Sequence, residues 1–496
     1  MDSANEKKGG FARILDWINN KLGKFKDKVK NIGKETKQIG KDDTRRIIHS
    51  AKVGLALTLV SLFYYFEPLY DGFGQAGMWA VLTVVVVFEF SVGGTLSKCI
   101  NRGWATLLGG ALGIGAEYLA ELTGKTGEPI MLGFFVFILA MGSTFARFFP
   151  NLKRRYDYGL LIFILTFSLV TVSGYRVDEI IELAHQRLST IIIGAATCII
   201  ISVLICPVWA GQDLHNLVAS NIEKLASFLE GFGDEYFSLA QGEVNVVNAS
   251  KEGKSFLQAY KSVLGSKASE ETLANAAWWE PGHGRFRFRH PWNQYLKVGA
   301  LTRQCAYHIE TLVTSYINLK KQAPTEFQRI IQEPCTTMSS ESAALLRELS
   351  SSIITMTHPT SSVVEIHIHN IKSAMDDLKN ILKTSNNKSN LLEIIPILAV
   401  GSILIDIIIC IEKVSEAVHE LSNMGHFKKL KEQKSTTKFA LDEKHHHQQK
   451  LHKGIVQPVD NDDNVEVDHV VITIRGTLTE MMIQETKASN NNNQGQ

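Results

Sequence analysis

Residues 79–102 read WAVLTVVVVFEFSVGGTLSKCINR, and the character of the whole chain turns on them. An apolar run of membrane length carries a carboxylate, Glu89, near one end. The run breaks at Gly93-Gly94 and hands over to two cations, Lys98 and Arg102. A second apolar run, laden with glycine, follows at once. A helix needs ~20 apolar residues to cross a bilayer. An ionisable residue inside such a run is costly and marks function by default.

Outward from this stretch, six apolar runs are legible at about 51–66, 77–92, 103–120, 129–149, 158–173 and 188–209. The first and fifth are short and must borrow flanking residues. The third is the least hydrophobic, and its Gly109, Gly110, Gly113 and Gly115 suit close helix–helix packing better than lipid contact. The chain has 496 residues and a formal charge of +2. Its mean hydropathy of +0.01 averages an apolar part, residues 48–209, with a remainder of soluble composition. The six cysteines are scattered, with no CxxC pair and no zinc-like spacing, so no disulfide framework is expected. MDSANEKKGG at the N-terminus lacks the apolar core of a signal peptide, which leaves the first span as the insertion signal.

The short connections set the orientation. Lys98 and Arg102 fall between the second and third runs, and Arg147, Lys153, Arg154 and Arg155 between the fourth and fifth. The remaining connections carry Glu67 and Asp71, then Glu121, Lys125 and Glu128, then Arg176, Asp178, Glu179 and Glu182. Basic loops face the cytoplasm. Both termini are therefore expected inside, and the sequons at Asn248 and Asn387 fall on the side where glycosylation does not occur.

Residues 11–39 form a basic amphipathic pattern. Phe11, Leu15, Ile18, Leu22, Phe25, Val29, Ile32 and Ile39 share a stripe, with Lys21, Lys24, Lys26, Lys28, Lys30 and Lys34 around it. Such a helix suits an anionic cytoplasmic leaflet, a groove on the protein's own cytosolic domain, or a coiled coil. After Gly211 the pattern is soluble helix, over 212–240, 252–264, 292–321, 338–357, 362–384 and 390–422. Residues 391–411, LLEIIPILAVGSILIDIIICI, resemble a seventh span, but Glu393, Pro396 and Asp406 interrupt them, so we read a buried helix of the cytosolic domain. Residues 426–466 read as disordered, with His445–His447 as a solvated run. His367 and His369 point to different helix faces and are poor co-ligands, and VDHVVITIRG at 467–476 alternates like a strand. The expected fold is an all-α polytopic membrane protein: a cytosolic segment 1–47, six transmembrane helices over 48–209, a helical cytosolic domain over 210–425 and a largely disordered tail over 426–496.

Four segments together resemble one family. They are GMWAVLTVVVVFEFSVGGTLSKCINRG at 77–103, YDYGLLIFILTFSLVTVSGYR at 156–176, CPVWAGQDLHNLVASN at 206–221 and WEPGHGRFRFRHPWNQYLKVGALTRQCAY at 279–307. The chain is similar over about 42–425 to the plant aluminium-activated malate transporters, which are anion channels. Trp279-Glu280-Pro281 is the most specific of these motifs, since no general physical rule generates it. The resemblance implies a homodimer whose subunits each have six transmembrane helices, and which passes malate and other anions down their gradient.

A dicarboxylate crossing a bilayer needs a wet, cationic path. Lys98 and Arg102 at the cytoplasmic end and Arg187 at the outer start of the sixth run are the candidates, with Lys52 the weaker one because it also suits an inside-positive anchor. Arg187 has a structural alternative in a pair with Glu182 or Asp178. The resemblance supports Arg102 and Arg187, where the family has matching arginines. Glu89 would repel a permeant anion unless paired, so it is expected buried against Lys98, Arg102 or a neighbouring span, as an organiser or as a proton-coupling group. Asp71, Asp178 and Glu182 are outer carboxylates of the kind hard cations prefer. Solvated acidic loops are the alternative, and resemblance to members gated by external aluminium supports a metal reading, although Glu182 stands where an aspartate is expected.

Trp278 to Trp292 mixes aromatics with Arg285, Arg287, Arg289, His283 and His290. We read it as a structural loop whose arginines cap helix ends, against an anion or nucleotide pocket. No P-loop, dinucleotide fingerprint or catalytic triad spacing is present, which argues against an enzyme. The expectation is a malate channel of the plasma membrane, modulated by voltage and activated by external aluminium. It has no obligatory cofactor, and it partners lipid, malate and inorganic anions but no nucleic acid. The alternatives are a family channel without aluminium response, of guard-cell or vacuolar type, and a proton-coupled carrier.

Overall fold

The computed structural model describes residues 7–65, 77–174, 180–238, 256–319, 326–385 and 391–429. Among these the secondary structure is helical, with fourteen helices and no strand. Helix α1 (Lys7–Asp42) precedes six helices of the apolar half: α2 (Thr44–Tyr65), α3 (Gly77–Val87), α4 (Val92–Glu121), α5 (Gly124–Ala146), α6 (Pro150–Gly174) and α7 (Ile180–Leu204). The helical domain follows with α8 (Ala210–Ser238), α9 (Phe256–Leu264), α10 (Lys267–Ala277), α11 (Trp292–Leu319), α12 (Glu326–Thr355), α13 (Ser361–Ser385) and α14 (Leu391–Met424). Segments Gly124–Ala146, Pro150–Ser173 and Arg187–Leu204 are each long and apolar enough to cross a membrane unaided.

The opening stretch folds differently from the expectation. Helix α3 is only 11 residues long, and the chain leaves helix over 88–91 rather than at Gly93-Gly94. Ser91 supplies the reason. It sits in extended backbone as the N-cap of α4, and its hydroxyl accepts the Gly94 N–H at 3.2 Å. The two glycines are the first turn of a 30-residue helix. Gly93 serves close approach instead, since a Cβ there would stand 2.2 Å from the Ala276 carbonyl oxygen. Lys98 and Arg102 are therefore not in a loop but about two and three turns inside α4. The basic connection at 147–155 shrinks likewise, because Lys153–Arg155 belong to α6.

Helix α4 packs along α6, and α3 along α7. A Cβ on Gly109 would meet the Phe163 carbonyl at 3.0 Å, and one on Gly113 the Val170 side chain at 2.8 Å, so these two serve the helix contact that their pattern suggested. Gly110 and Gly115 face open space. The outer faces stay apolar and exposed, as with Phe134, Phe137, Ile138 and Met141 on α5, which is the surface a lipid environment demands.

The helical domain has its own core, in which Leu214, Ile222, Phe228, Tyr295, Ile309, Leu312 and Leu345 are fully buried. Helix α12 lies against α8 and α13, and α11 against α14. The span-like run 391–411 is part of α14, with Val400, Leu404, Ile407 and Ile411 inside this core. Helix α12 begins at Glu326, well before the expected 338, because Ile331 and Cys335 are buried against neighbours and hold Pro334 within the helix. Helix α10 was not anticipated. The chain also stays ordered past 425: Phe427 is buried, and the Lys428 N–H bonds the Met356 carbonyl at 2.9 Å. His445–His447, the strand-like 467–476 and both sequons lie outside the described residues.

Candidate functional site

The break at 88–91 bends Glu89 back over the second turn of α4. The Glu89 N–H donates to Thr95 Oγ1 at 3.0 Å, and the Glu89 carboxylate pairs with the Lys98 ammonium. The pairing agrees with expectation, but the setting does not. The Glu89 side chain is 41% exposed, because it lies beyond the end of α3 instead of between helices. Lys98 also donates to the Val86 carbonyl at 3.3 Å and stands 5.6 Å from the Tyr158 ring.

One turn on, Arg102 is only 5% exposed. Its Nη1 donates to the Tyr158 hydroxyl at 3.2 Å, and its Nε is buried without a partner among the described residues. Asn101 fastens the same level by donating to the Arg155 carbonyl at 3.0 Å. Lys52 is buried as well, and donates to the Cys206 carbonyl at 2.8 Å, just past α7. A cation is well placed at a helix C-terminus, so Lys52 caps a helix. Lys52, Lys98 and Arg102 thus lie at one end of the bundle, where Glu89 pairs with Lys98. A buried guanidinium N–H without a partner retains capacity for an anion.

Arg187 lies at the other end. It precedes Leu204 by 17 residues of α7, roughly 25 Å of helix. Its guanidinium sits 4.7 Å from the Trp79 ring centroid, and its Nε too is buried without a partner among the described residues. Asp71 and Asp178 lie outside the described residues. Glu182 falls within the first turn of α7, and its side chain is likewise outside the described set. Among the described residues no group of three or more His, Cys, Asp or Glu is placed to hold a metal ion.

The Trp279-Glu280-Pro281 motif joins the cationic end to the helical domain. Glu280 is buried, and its two carboxylate oxygens accept the N–H of Ala210 at 2.6 Å and of Gly211 at 3.0 Å. These are the first amides of α8, so Glu280 caps that helix from a distant part of the chain. Burial raises the Glu280 carboxyl above its usual range, and the amide donors oppose this. Trp209 stacks on His283 with ring centroids 3.8 Å apart. Gly93 of α4 packs on Glu280, and the Val92 N–H donates to the Val208 carbonyl at 2.9 Å. Arg155 lies 4.2 Å from the Trp278 ring, and Tyr156 meets Trp279 edge-on at 6.2 Å. One knot therefore holds the starts of α4 and α8 and an early turn of α6.

The arginines beyond the motif do not converge. Arg285 donates to the Thr355 carbonyl at the end of α12, Arg289 lies over Phe288, and Arg287 is exposed. His215 and His290 share the Tyr295 hydroxyl, at 2.9 and 3.3 Å, and burial pushes both imidazoles down to about 4. His367 bonds Glu341, away from His369. Sequence reasoning missed Tyr158 and Asn101. Both lie beside residues already singled out, but only the α4–α6 crossing shows which side chains meet.

A bundle of apolar helices with cations set into both ends and a helical domain knotted to one of them defines a polytopic membrane transport protein. The family described as aluminium activated malate transporter matches residues 37–389, and the chain belongs to it. It is 52% identical over 446 residues to aluminum-activated malate transporter 2 of Arabidopsis thaliana, covering 89% of this chain and 88% of that one. It is 53% identical over 407 residues to transporter 1 of Arabidopsis thaliana, covering 81% of each. Transporter 1 of Triticum aestivum is 44% identical over 415 residues, covering 81% of this chain and 88% of its own. Members of this family are transporters or channels, not enzymes.

Proposed function

We propose that this protein is an anion channel that lets malate, and other anions, leave the cell across the plasma membrane, working as a homodimer. The observation that carries this reading is the pair of arginines, Arg102 buried and Arg187 half-buried, whose buried Nε groups have no partner among the described residues and lie at opposite ends of the helical bundle. A malate dianion sheds water on entering such a path, and fixed guanidinium groups replace that hydration while repelling cations. Relatives named as malate transporters support the substrate.

The orientation, with both termini and the helical domain in the cytoplasm, is supported by Lys52, Lys98, Arg102 and Arg155 lying at the domain end. The knot around Glu280 is the route by which the helical domain and membrane voltage act together on the inner cations. The plasma membrane is preferred to the vacuole because the HGRFRFRHPW segment at 283–292 is close to that of aluminium-responsive family members.

External aluminium acts as an activator, not a cofactor, with Asp71, Asp178 and Glu182 as its oxygen ligands on the outer face. Loss of aluminium stimulation in Asp178→Asn and Glu182→Gln channels that still conduct supports that site, and unchanged stimulation in both excludes it. The function itself is tested by voltage clamp of oocytes expressing the chain, with malate inside and aluminium outside. Currents that reverse where the anion gradient dictates are expected. A reversal potential that follows external pH at fixed malate gives a proton-coupled carrier instead, and no anion current at all overturns transport.

A further inference from the structure

Helix α1 runs for 36 residues, and its extensive packing, among the described residues, is confined to α2. From Lys21 to Lys41 nearly every described side chain faces solvent. Four of these are large and apolar: Phe25 is 66% exposed, Val29 52%, Ile32 53% and Ile39 49%. They fall at spacings of four, three and seven residues, which puts them on one face of the helix. A surface of this kind without a cover is a binding face. Among the described residues the helical domain does not cover it, which disfavours one of the three occupants compatible with the sequence.

The remaining two are a second copy of α1 and a lipid surface, and charge separates them. Residues 21–42 hold eight lysines and three carboxylates, a net charge of +5. In a parallel self-paired coil with Phe25, Val29, Ile32 and Ile39 in the seam, Thr36 would occupy a seam position. Lys21 of one helix would face Lys26 of the other, and Gly33 and Gly40 would stand at flanking positions that normally carry pairing charges. An anionic leaflet meets the same lysines with opposite charge and the same stripe with acyl chain.

The start of α2 fixes where α1 must lie. Asp43 accepts the Arg45 N–H at 3.0 Å, and Arg45 in turn holds Asp213 of α8 at 2.9 and 3.2 Å. Gly40 lies against the Ile47 side chain. Helix α1 therefore departs from the end of the bundle that carries Lys52, beside the start of the helical domain. That is the level of the lipid headgroups once α2 enters the bilayer.

We infer that α1 is a lipid-binding element, lying on an anionic membrane surface with Phe25, Val29, Ile32 and Ile39 in the acyl boundary and its lysines among the headgroups. The inference stands on α1 alone and holds whichever anion the protein carries.

The test uses the full chain with Cys206→Ser, which removes the one exposed cysteine, reconstituted in vesicles of phosphatidylcholine with or without phosphatidylserine. A fluorophore is placed at Ile32→Cys or at Lys34→Cys, and quenched with lipids nitroxide-labelled on the acyl chain. Quenching at position 32 is expected roughly twofold above that at 34, and greater with phosphatidylserine present. Replacing Lys26, Lys30, Lys34 and Lys37 with glutamine in the Ile32→Cys protein removes the phosphatidylserine effect. Equal quenching at the two positions, or none dependent on the anionic lipid, overturns the inference. Spin labels at Ile32→Cys that report an intersubunit separation of about 10 Å with no lipid quenching assign the face to a second copy instead.

Discussion

The two ends of the helical bundle carry the same kind of charge in different settings. At the domain end, Lys98 is held by Glu89, the Val86 carbonyl and the Tyr158 ring, Arg102 by the Tyr158 hydroxyl, and Lys52 by the Cys206 carbonyl. That end is tied in turn to the helical domain through Val92–Val208 and Gly93–Glu280. At the far end, Arg187 rests on one face of Trp79. A site whose supporting shell is locked holds its charges in a fixed arrangement, whereas a cation resting on one ring can attract but discriminates less. On the proposed channel function, the domain end is expected to set conduction and its control, and the far end capture of the anion.

The largest break in this comparison comes from Arg102→Ala. It removes a buried guanidinium, and conductance for malate should fall by about tenfold, the equivalent of some 1.4 kcal/mol of anion stabilisation, at unchanged surface expression. Whole-cell current normalised to surface protein reads it. Arg187→Ala is expected to act more weakly, by a few-fold, and mainly by raising the malate concentration for half-maximal current. A larger effect at Arg187 than at Arg102 would reverse the assignment of the two ends.

Glu280 sharpens the link between the domain end and the helical domain. Glu280→Ala strips two amides of α8 of their acceptor, and a lost helix cap costs about 1 kcal/mol. Thermal unfolding of the purified protein should register that loss. The voltage dependence of the current should shift as well, which a purely local destabilisation would not produce, and Glu280→Gln should show both effects in smaller measure.

A further effect is on pH. His215 and His290 are held neutral, with values near 4 against an ordinary 6.5. Between these values the unfolded chain binds protons that the folded domain refuses, so stability is full above about 6.5 and is lost as pH falls toward 4. Midpoint temperatures measured across that window should fall with pH, and the fall should shrink in His290→Gln.

Much of the helical order was legible because apolar period and length survive into the structure, as in α5, α6 and α14. The cation candidates were legible too, because charge in an apolar run is conspicuous. What escaped depends on contacts between distant segments. Gly93-Gly94 reads as a break, yet it is the first turn of α4, since the cap at Ser91 and the neighbour at Ala276 are known only from the fold. Glu89 reads as a buried carboxylate, and it is half-exposed because α3 stops short of it. Glu280 drew notice through family resemblance alone. Its physical role, a carboxylate capping a helix that begins 70 residues earlier, has no local signature.

The central claim is that the fixed cations of this bundle stabilise a permeating anion. Reversal potential in Arg102→Glu, compared with the natural chain under a malate gradient with sodium as counter-ion, tests it most directly. The charge inversion should move the reversal potential away from the malate equilibrium value and toward that of sodium. An Arg102→Glu channel that conducts as much malate as before and reverses at the same potential would contradict the account.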